Sequence, residues 1–351
     1  MFFRRTLLII LPVMISGCAT VSGPQVSQKE IQQATAELQV KALDFRIKEI
    51  KRVNAIGYRI ARSIYQEDIK TKPRAFTGIF CVERTKVVDS LFHITATGSK
   101  MPRGVVIIFV LENTPAFDAG LKPGDLMLAI DKKDMVHYGP GFENSLKPGQ
   151  TILLTVLRNH ERWELPLRVE QMPVGVNFTV VDDQSVNASA GTNQIFVTYG
   201  LLNFAKTDDE IAAVIGHELG HLSRGHVHRM TGGNVVSFIA AIGLGVTSEV
   251  FAPGTGSAVM RGVGGVGNVF KANFSRDLER EADYFGVKYV YDAGYDPQAC
   301  VTVHERFAIE IPASMTKAFF STHPSSPERK VRIEKTIEEL KNRKAHQETK
   351  S

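Results

Sequence analysis

Between Gln28 and Asp68, apolar residues recur at helical spacing: Ile31, Leu38, Leu43, Ile47, Ile50, Ile56, Ile60 and Ile64, with dense charge between them. That spacing predicts one long amphipathic helix or two. From Phe76 to Val169 the pattern changes to short apolar runs, Gly104–Leu111, Leu126–Ile130 and Thr151–Leu157. Turn signals at Lys122-Pro123-Gly124-Asp125 and Lys147-Pro148-Gly149 separate them, which predicts a small β-rich domain. Beyond Met172, Phe178–Val181 and Gln194–Thr198 read as strands and the remainder as mostly helical. No internal repeat of fixed period is visible.

The first residues follow a different pattern. Arg4 and Arg5 precede an apolar run, Leu7–Ile15, that is too short to span a bilayer, which takes about 20 apolar residues. Residues 1–17 therefore read as a secretory signal. The run ends in Ile15-Ser16-Gly17-Cys18, which resembles the bacterial lipobox; that resemblance implies acylation of Cys18, with residues 18–27 as a tether. Ala19 in place of aspartate favours the outer membrane by the same resemblance. No later segment is long and apolar enough for a transmembrane helix, so the expected location is the periplasmic face of the envelope, held by lipid.

Composition adds exclusions. At 351 residues and roughly 150 per domain, two domains are expected. Hydrophobic residues at 43% and charged residues at 23% rule out a disordered chain and a multi-span membrane protein. A net charge of +5 is too small and dispersed to argue for nucleic acid. Three cysteines are too few for a disulfide framework, and Cys81 and Cys300 fall in different predicted domains.

The chemistry lies in the C-terminal half. Thr207-Asp208-Asp209-Glu210 reads as a capping box opening a helix with Ile211, Val214, Ile215, Leu219 and Leu222 on its core side. Inside it stands His217-Glu218-Leu219-Gly220-His221. Histidines at i and i+4 share a helix face about 6 Å apart, so both can hold one Zn²⁺. Glu218 is placed to take a proton from the attacking water. A catalytic zinc needs a third protein ligand, and Ser275–Asp283 offers two glutamates on a second helix closing at Gly294. Glu279 and Asp283 share one face with Gly286, while Glu281 points away. Glu279 is therefore expected as ligand, and Asp283 as the acceptor that orients an imidazole.

Three features stay open. His323, in a loop before the helix begun by Ser326-Pro327 with Arg329 behind it, either approaches the zinc or the transition-state oxyanion or is a structural loop residue. His226 and His228 are expected in packing or surface roles. The glycine-rich stretch Gly232–Gly267 reads as a flap over the cleft, a membrane-touching hairpin or a plain flexible loop.

The β-rich stretch resembles a PDZ domain at Gly104-Val105-Val106-Ile107, Asn113–Ala116, Ala119–Asp125 and Ala129-Ile130-Asp131. This implies that Gly78 and Ile79, in Phe76-Thr77-Gly78-Ile79, lie in a peptide-binding loop that receives a carboxylate or an added strand. His217–His221 with His226, the Ser-Arg-x-x-Glu-x-x-Ala-Asp run, Thr322-His323-Pro324 and Arg329 resemble the HtpX and Ste24-like zinc metallopeptidases, in which a glutamate is the third ligand. Asn187-Ala188 and Ile195–Leu202 share that resemblance.

It implies one zinc per chain on His217, His221 and Glu279, with Glu218 as general base and acid and Asp283 in support. The implied fold is α+β: a mostly helical zincin-type peptidase domain with a small edge sheet, in residues 28–75 and 171–345, and an inserted PDZ-like domain at 76–170. An extended polypeptide is expected to pair with Gln194–Thr198. The implied function is a lipid-anchored endopeptidase acting on unfolded chains or C-terminal segments in envelope quality control. The rival is a PDZ-bearing assembly factor whose zinc site is structural or held shut.

Overall fold

The computed structural model describes residues 23–65, 69, 72–94, 104–191, 193–226, 274–311, 323 and 327–349. The signal-like segment with Cys18, His228, the Gly232–Gly267 stretch, Thr322, Pro324 and Ser326 lie outside the described residues. Helix α1 runs Gln28–Ser63. Residues up to Leu38 belong to one unit and Gln39–Ser351 to another. Ile31 and Leu38 are exposed, whereas Leu43, Ile47, Val53, Ile56 and Ile60 are buried, so the apolar stripe faces a core only from Leu43 onward.

The β-rich segment contains β1 (Arg74–Phe76), β2 (Ile79–Glu83), α2 (Lys86–Leu91), β3 (Val105–Val110), α3 (Pro115–Asp118), β4 (Leu126–Ile130), β5 (Lys133–Asp134), β6 (Thr151–Arg158), β7 (Glu161–Arg168) and β8 (Glu170–Met172). β1 and β8 pair antiparallel and clasp the two ends of the segment together. The sheet between them has the order β2-β3-β4-β6-β7, with β5 folded onto β4.

β3 is buried at every position because it serves two cores. Val105, Ile107 and Val110 pack with Met127, Ile130, Leu154 and Phe142 inside the β-rich segment. Val106, Ile108, Phe109 and Leu111 join the larger core that includes α1. The switch in alternation follows from a bulge: Phe80 pairs Phe109 but Cys81 pairs Ile107, leaving Ile108 as the extra residue. Tyr58 on α1 fixes the joint by packing against Phe76, Phe80 and Phe178 at ring-centroid distances of 4.5, 5.8 and 5.1 Å.

A second sheet comprises β9 (Asn177–Val181), β10 (Ala188–Ala190) and β11 (Gln194–Thr198) in the order β10-β11-β9. β11 is antiparallel to β10 and parallel to β9. Both its edges are taken, so the expectation that a substrate pairs with Gln194–Thr198 is corrected. The edge nearest the site helix is β10.

Helices α4 (Tyr199–Phe204), α5 (Asp208–Ser223), α6 (Arg276–Asp292), α7 (Gln298–Glu310) and α8 (Pro327–Glu348) complete the described fold. Thr207 caps α5 by accepting the Glu210 N–H at 3.2 Å. The reciprocal arm differs from a capping box: the Glu210 carboxylate accepts from Lys206 N at 2.7 Å and pairs with Arg306. α5 is buried on all sides from Glu210 to Ser223, not on one face alone.

The contact between α5 and α6 is made by glycines. A Cβ on Gly286 would lie 2.9 Å from the His217 backbone nitrogen, and one on Gly220 would lie 2.6 Å from the Ala282 carbonyl. That backbone approach brings residues of α5 and α6 to one point.

Candidate metal centre

His217 and His221, one turn apart on α5, direct their Nε2 atoms to within 3.1 Å of each other. Glu279 projects from the facing turn of α6, with Oε1 3.4 Å from His221 Nε2 and Oε2 3.5 Å from His217 Nε2. His323 adds Nδ1, 3.2 Å from His217 Nε2 and 2.9 Å from Glu279 Oε1. All four residues are buried.

These separations test whether zinc fits. Four ligands at about 2.0–2.1 Å in a tetrahedron lie about 3.4 Å from one another, close to the spacing found here. Three imidazoles and one carboxylate are also the donor types zinc takes.

Each donor is fixed from behind. Asp283 Oδ1 lies 3.0 Å from His217 Nδ1, which leaves Nε2 for the metal. Arg329 grips Asp283 with two bonds of 2.7 Å, and its Nη1 reaches Glu279 Oε2 at 3.0 Å and the His323 carbonyl at 3.2 Å. His221 is held differently. Its Nδ1 lies 3.0 Å from Nδ1 of His226, whose Nε2 lies 3.0 Å from Glu281 Oε2, while Arg224 donates to Glu281 Oε1 at 2.8 Å. Phe274 stacks on the His221 ring at 3.9 Å.

His226 is fully buried, so the expectation of a packing or surface role misses its position behind a donor. Glu281, which competed with Glu279 as a ligand candidate, is instead the partner of His226. A histidine five residues beyond His221 was the available signal; its partner on another helix was not visible in the spacing.

Without a cation these groups make conflicting demands. Burial disfavours charge on His217, yet Asp283 and Glu279 hold its imidazole up at about 9. Burial, together with His217 and His323, pushes His221 well below the usual imidazole range despite Glu279. Burial tends to raise the Glu279 carboxyl, but three histidine contacts hold it far down. Burial likewise opposes ionisation of Asp283, and Arg329 more than offsets it. Glu218 is the exception: burial raises it in spite of His323 and His217. Among the described residues neither of its oxygens accepts a well-formed hydrogen bond: the nearest ion-pair contact is His323 Nε2 at 3.3 Å, and the Ala190 backbone N–H lowers the carboxyl only in part.

In the loop before β2, Gly78 has φ +84°, and a Cβ there would strike the Thr114 hydroxyl at 2.2 Å. The Ile79 N–H donates to Thr77 Oγ1 at 3.2 Å. Cys81 and Cys300 are free thiols, and burial pushes both well above the usual thiol range.

Residues 166–337 match the model of peptidase family M48, and residues 78–169 that of a PDZ domain. The chain is 35% identical over 151 residues to the mitochondrial metalloendopeptidase OMA1 of Arabidopsis thaliana, covering 43% of this chain and 29% of that protein. It is 32% identical over 159 residues to the metalloprotease LoiP of Escherichia coli (strain K12), covering 44% and 60%. To the metalloprotease YcaL of the same organism it is 30% identical over 166 residues, covering 46% and 62%. The chain thus spans less than two thirds of the length of each of these relatives. The M48 match takes in α5, α6 and all four donors: the chain belongs to peptidase family M48 and carries a PDZ domain.

Proposed function

We propose that this protein is a zinc-dependent endopeptidase of the cell envelope that acts on unfolded chains. The observation that carries the reading is Glu218, a fully buried carboxylate beside the donors whose oxygens have no well-formed hydrogen bond among the described residues. A purely structural zinc site has no use for such a group. When bound, zinc supplies a Lewis acid that makes water nucleophilic at neutral pH and stabilises negative charge on the scissile oxygen.

The chain's own residues do the rest. Edge strand β10 offers its backbone to an extended substrate, next to Glu218. Glu218 takes the proton of the attacking water and returns it to the leaving amine. Asp283 with Arg329, and His226 with Glu281, keep the two imidazoles of α5 in their ligating orientation.

His323 favours a second reading. As a fourth donor it fills the position that a catalytic zinc leaves open, which is the arrangement of a structural site or a closed state of a catalytic one. In the endopeptidase reading His323 withdraws before substrate enters; in the assembly-factor reading it never does. The full chain loaded with zinc should degrade casein, and a chelator should abolish the cleavage. His323→Ala should raise the rate. Absence of cleavage by both proteins would favour the assembly factor.

The lipid anchor belongs to the same proposal. Arg4, Arg5, the apolar run and Ile15-Ser16-Gly17-Cys18 support acylation of Cys18, and Ala19 supports the outer membrane. Among the described residues no helix is long and apolar enough to cross a membrane. Cys18→Ala should shift the protein from the membrane fraction to the soluble periplasm; continued sedimentation with membranes would count against the anchor. The PDZ domain, in this reading, recruits chains by their exposed C-termini.

A further inference from the structure

The loop that opens the PDZ domain already holds a carboxylate, and it is the protein's own. Glu143 sits on a short 3-10 turn, Phe142–Ser145. Its Oε1 accepts the Thr77 backbone N–H at 2.7 Å and also the Thr77 hydroxyl. Its Oε2 accepts from Arg74 Nη2 at 2.9 Å. Thr77 immediately precedes Gly78, whose positive φ shapes the loop, and the next N–H, that of Ile79, is bonded to Thr77 Oγ1. One carboxylate thus takes a backbone N–H and a guanidinium at the start of edge strand β2. That is the chemistry by which a backbone nest captures a chain terminus. Farther along β2, the Pro140 carbonyl lies 3.7 Å from Cys81 Sγ, so the same segment also touches a side chain of that strand.

We propose that Glu143 is a built-in occupant of the PDZ carboxylate site, displaced when a polypeptide with a free C-terminal carboxylate takes its place on Thr77 and Arg74. The inference rests on the reading of this domain as a recruiter of C-termini.

Three features make the exchange feasible. Arg74 is also bonded to Asn177 Oδ1, so the cation stays in place when Glu143 leaves. Glu143 is held against its solvation: burial raises its carboxyl although Arg74 and Thr77 both favour the charge. Phe142, next to it, is anchored in the domain core, so the exchange asks only that the Glu143 side chain turn out about its own χ angles, with the sheet left packed.

A site that its own side chain fills binds others more weakly by the fraction of time it stands free. The test is fluorescence anisotropy on the full chain with labelled decapeptides ending in an apolar residue, each as free acid and as amide. Glu143→Ala should tighten binding of the free acids by about tenfold or more, with amides remaining weak. The isosteric Glu143→Gln, which keeps a bond to Thr77 but not the charge, should tighten it by about threefold. Circular dichroism checks folding, and should the alanine variant not fold, the glutamine variant decides. Equal affinity in the wild type and the folded variants would overturn the proposal and leave the recruiter reading intact. Equal binding of acids and amides would show that the site does not read a carboxylate, and would overturn it too. If no peptide binds any form, the recruiter reading falls and the proposal with it.

Discussion

Glu218→Gln should leave zinc binding and stability intact while lowering the rate of casein cleavage by about 10²–10⁴-fold, the usual contribution of a positioned general base. The substitution is nearly isosteric, and Glu218 is not among the four convergent donors. Its contacts are weak, His323 Nε2 at 3.3 Å being the nearest ion-pair contact, so exchanging one oxygen for an amide disturbs little else. What is lost is a carboxylate proton acceptor beside the donor cluster. His217 and His221 are committed as donors, and Asp283 is held by Arg329 behind His217. Zinc content by atomic absorption and cleavage by gel assay check both halves. Full retained activity would remove Glu218 from the mechanism, and loss of zinc would make it a ligand.

Glu279→Ala should have the largest effect on the metal itself. Glu279 is the only anionic member of the donor set, so its removal leaves three neutral or positive imidazoles around the site. Stoichiometric zinc should no longer be retained through dialysis, and cleavage should disappear with it. The metal-free protein should also lose about 3 kcal/mol in denaturant unfolding, the lower end of what breaking a buried ion pair costs. The lower end applies because Arg329 keeps its bidentate hold on Asp283. Unchanged zinc binding would transfer the third-ligand role to another residue.

The legible parts of this molecule were those in which chemistry and local geometry coincide. His217, Glu218 and His221 lie within two turns of helix, so spacing alone brings them together. Glu279 could be separated from Glu281 because Asp283 and Gly286 mark which side of α6 faces α5. The apolar run of β3 stood out because a strand buried on both faces has no polar alternation.

Other parts were hidden for physical reasons. β10 is Ala188-Ser189-Ala190, too short and too small in side chain to register as a strand, so the neighbouring β11 looked like an open edge when it is central. The role of His226 depends on Glu281 from a different helix, and that of Glu143 on Thr77, 66 positions earlier in the chain. Such pairings are made by tertiary folding and leave no periodicity to read. Arg329 was visible as a neighbour of His323, but its simultaneous hold on Asp283 and Glu279 was not.

Because β3 has no solvent face, the PDZ domain is not a cassette that can be cut out or exchanged. Excising it would uncover Tyr58, which packs on Phe80, at about 25 cal/mol for every Å² of apolar surface returned to water. A substitution at Ile108 or Phe109 is felt in the PDZ domain and in the M48 domain at once. A single unfolding transition is therefore expected for the two domains.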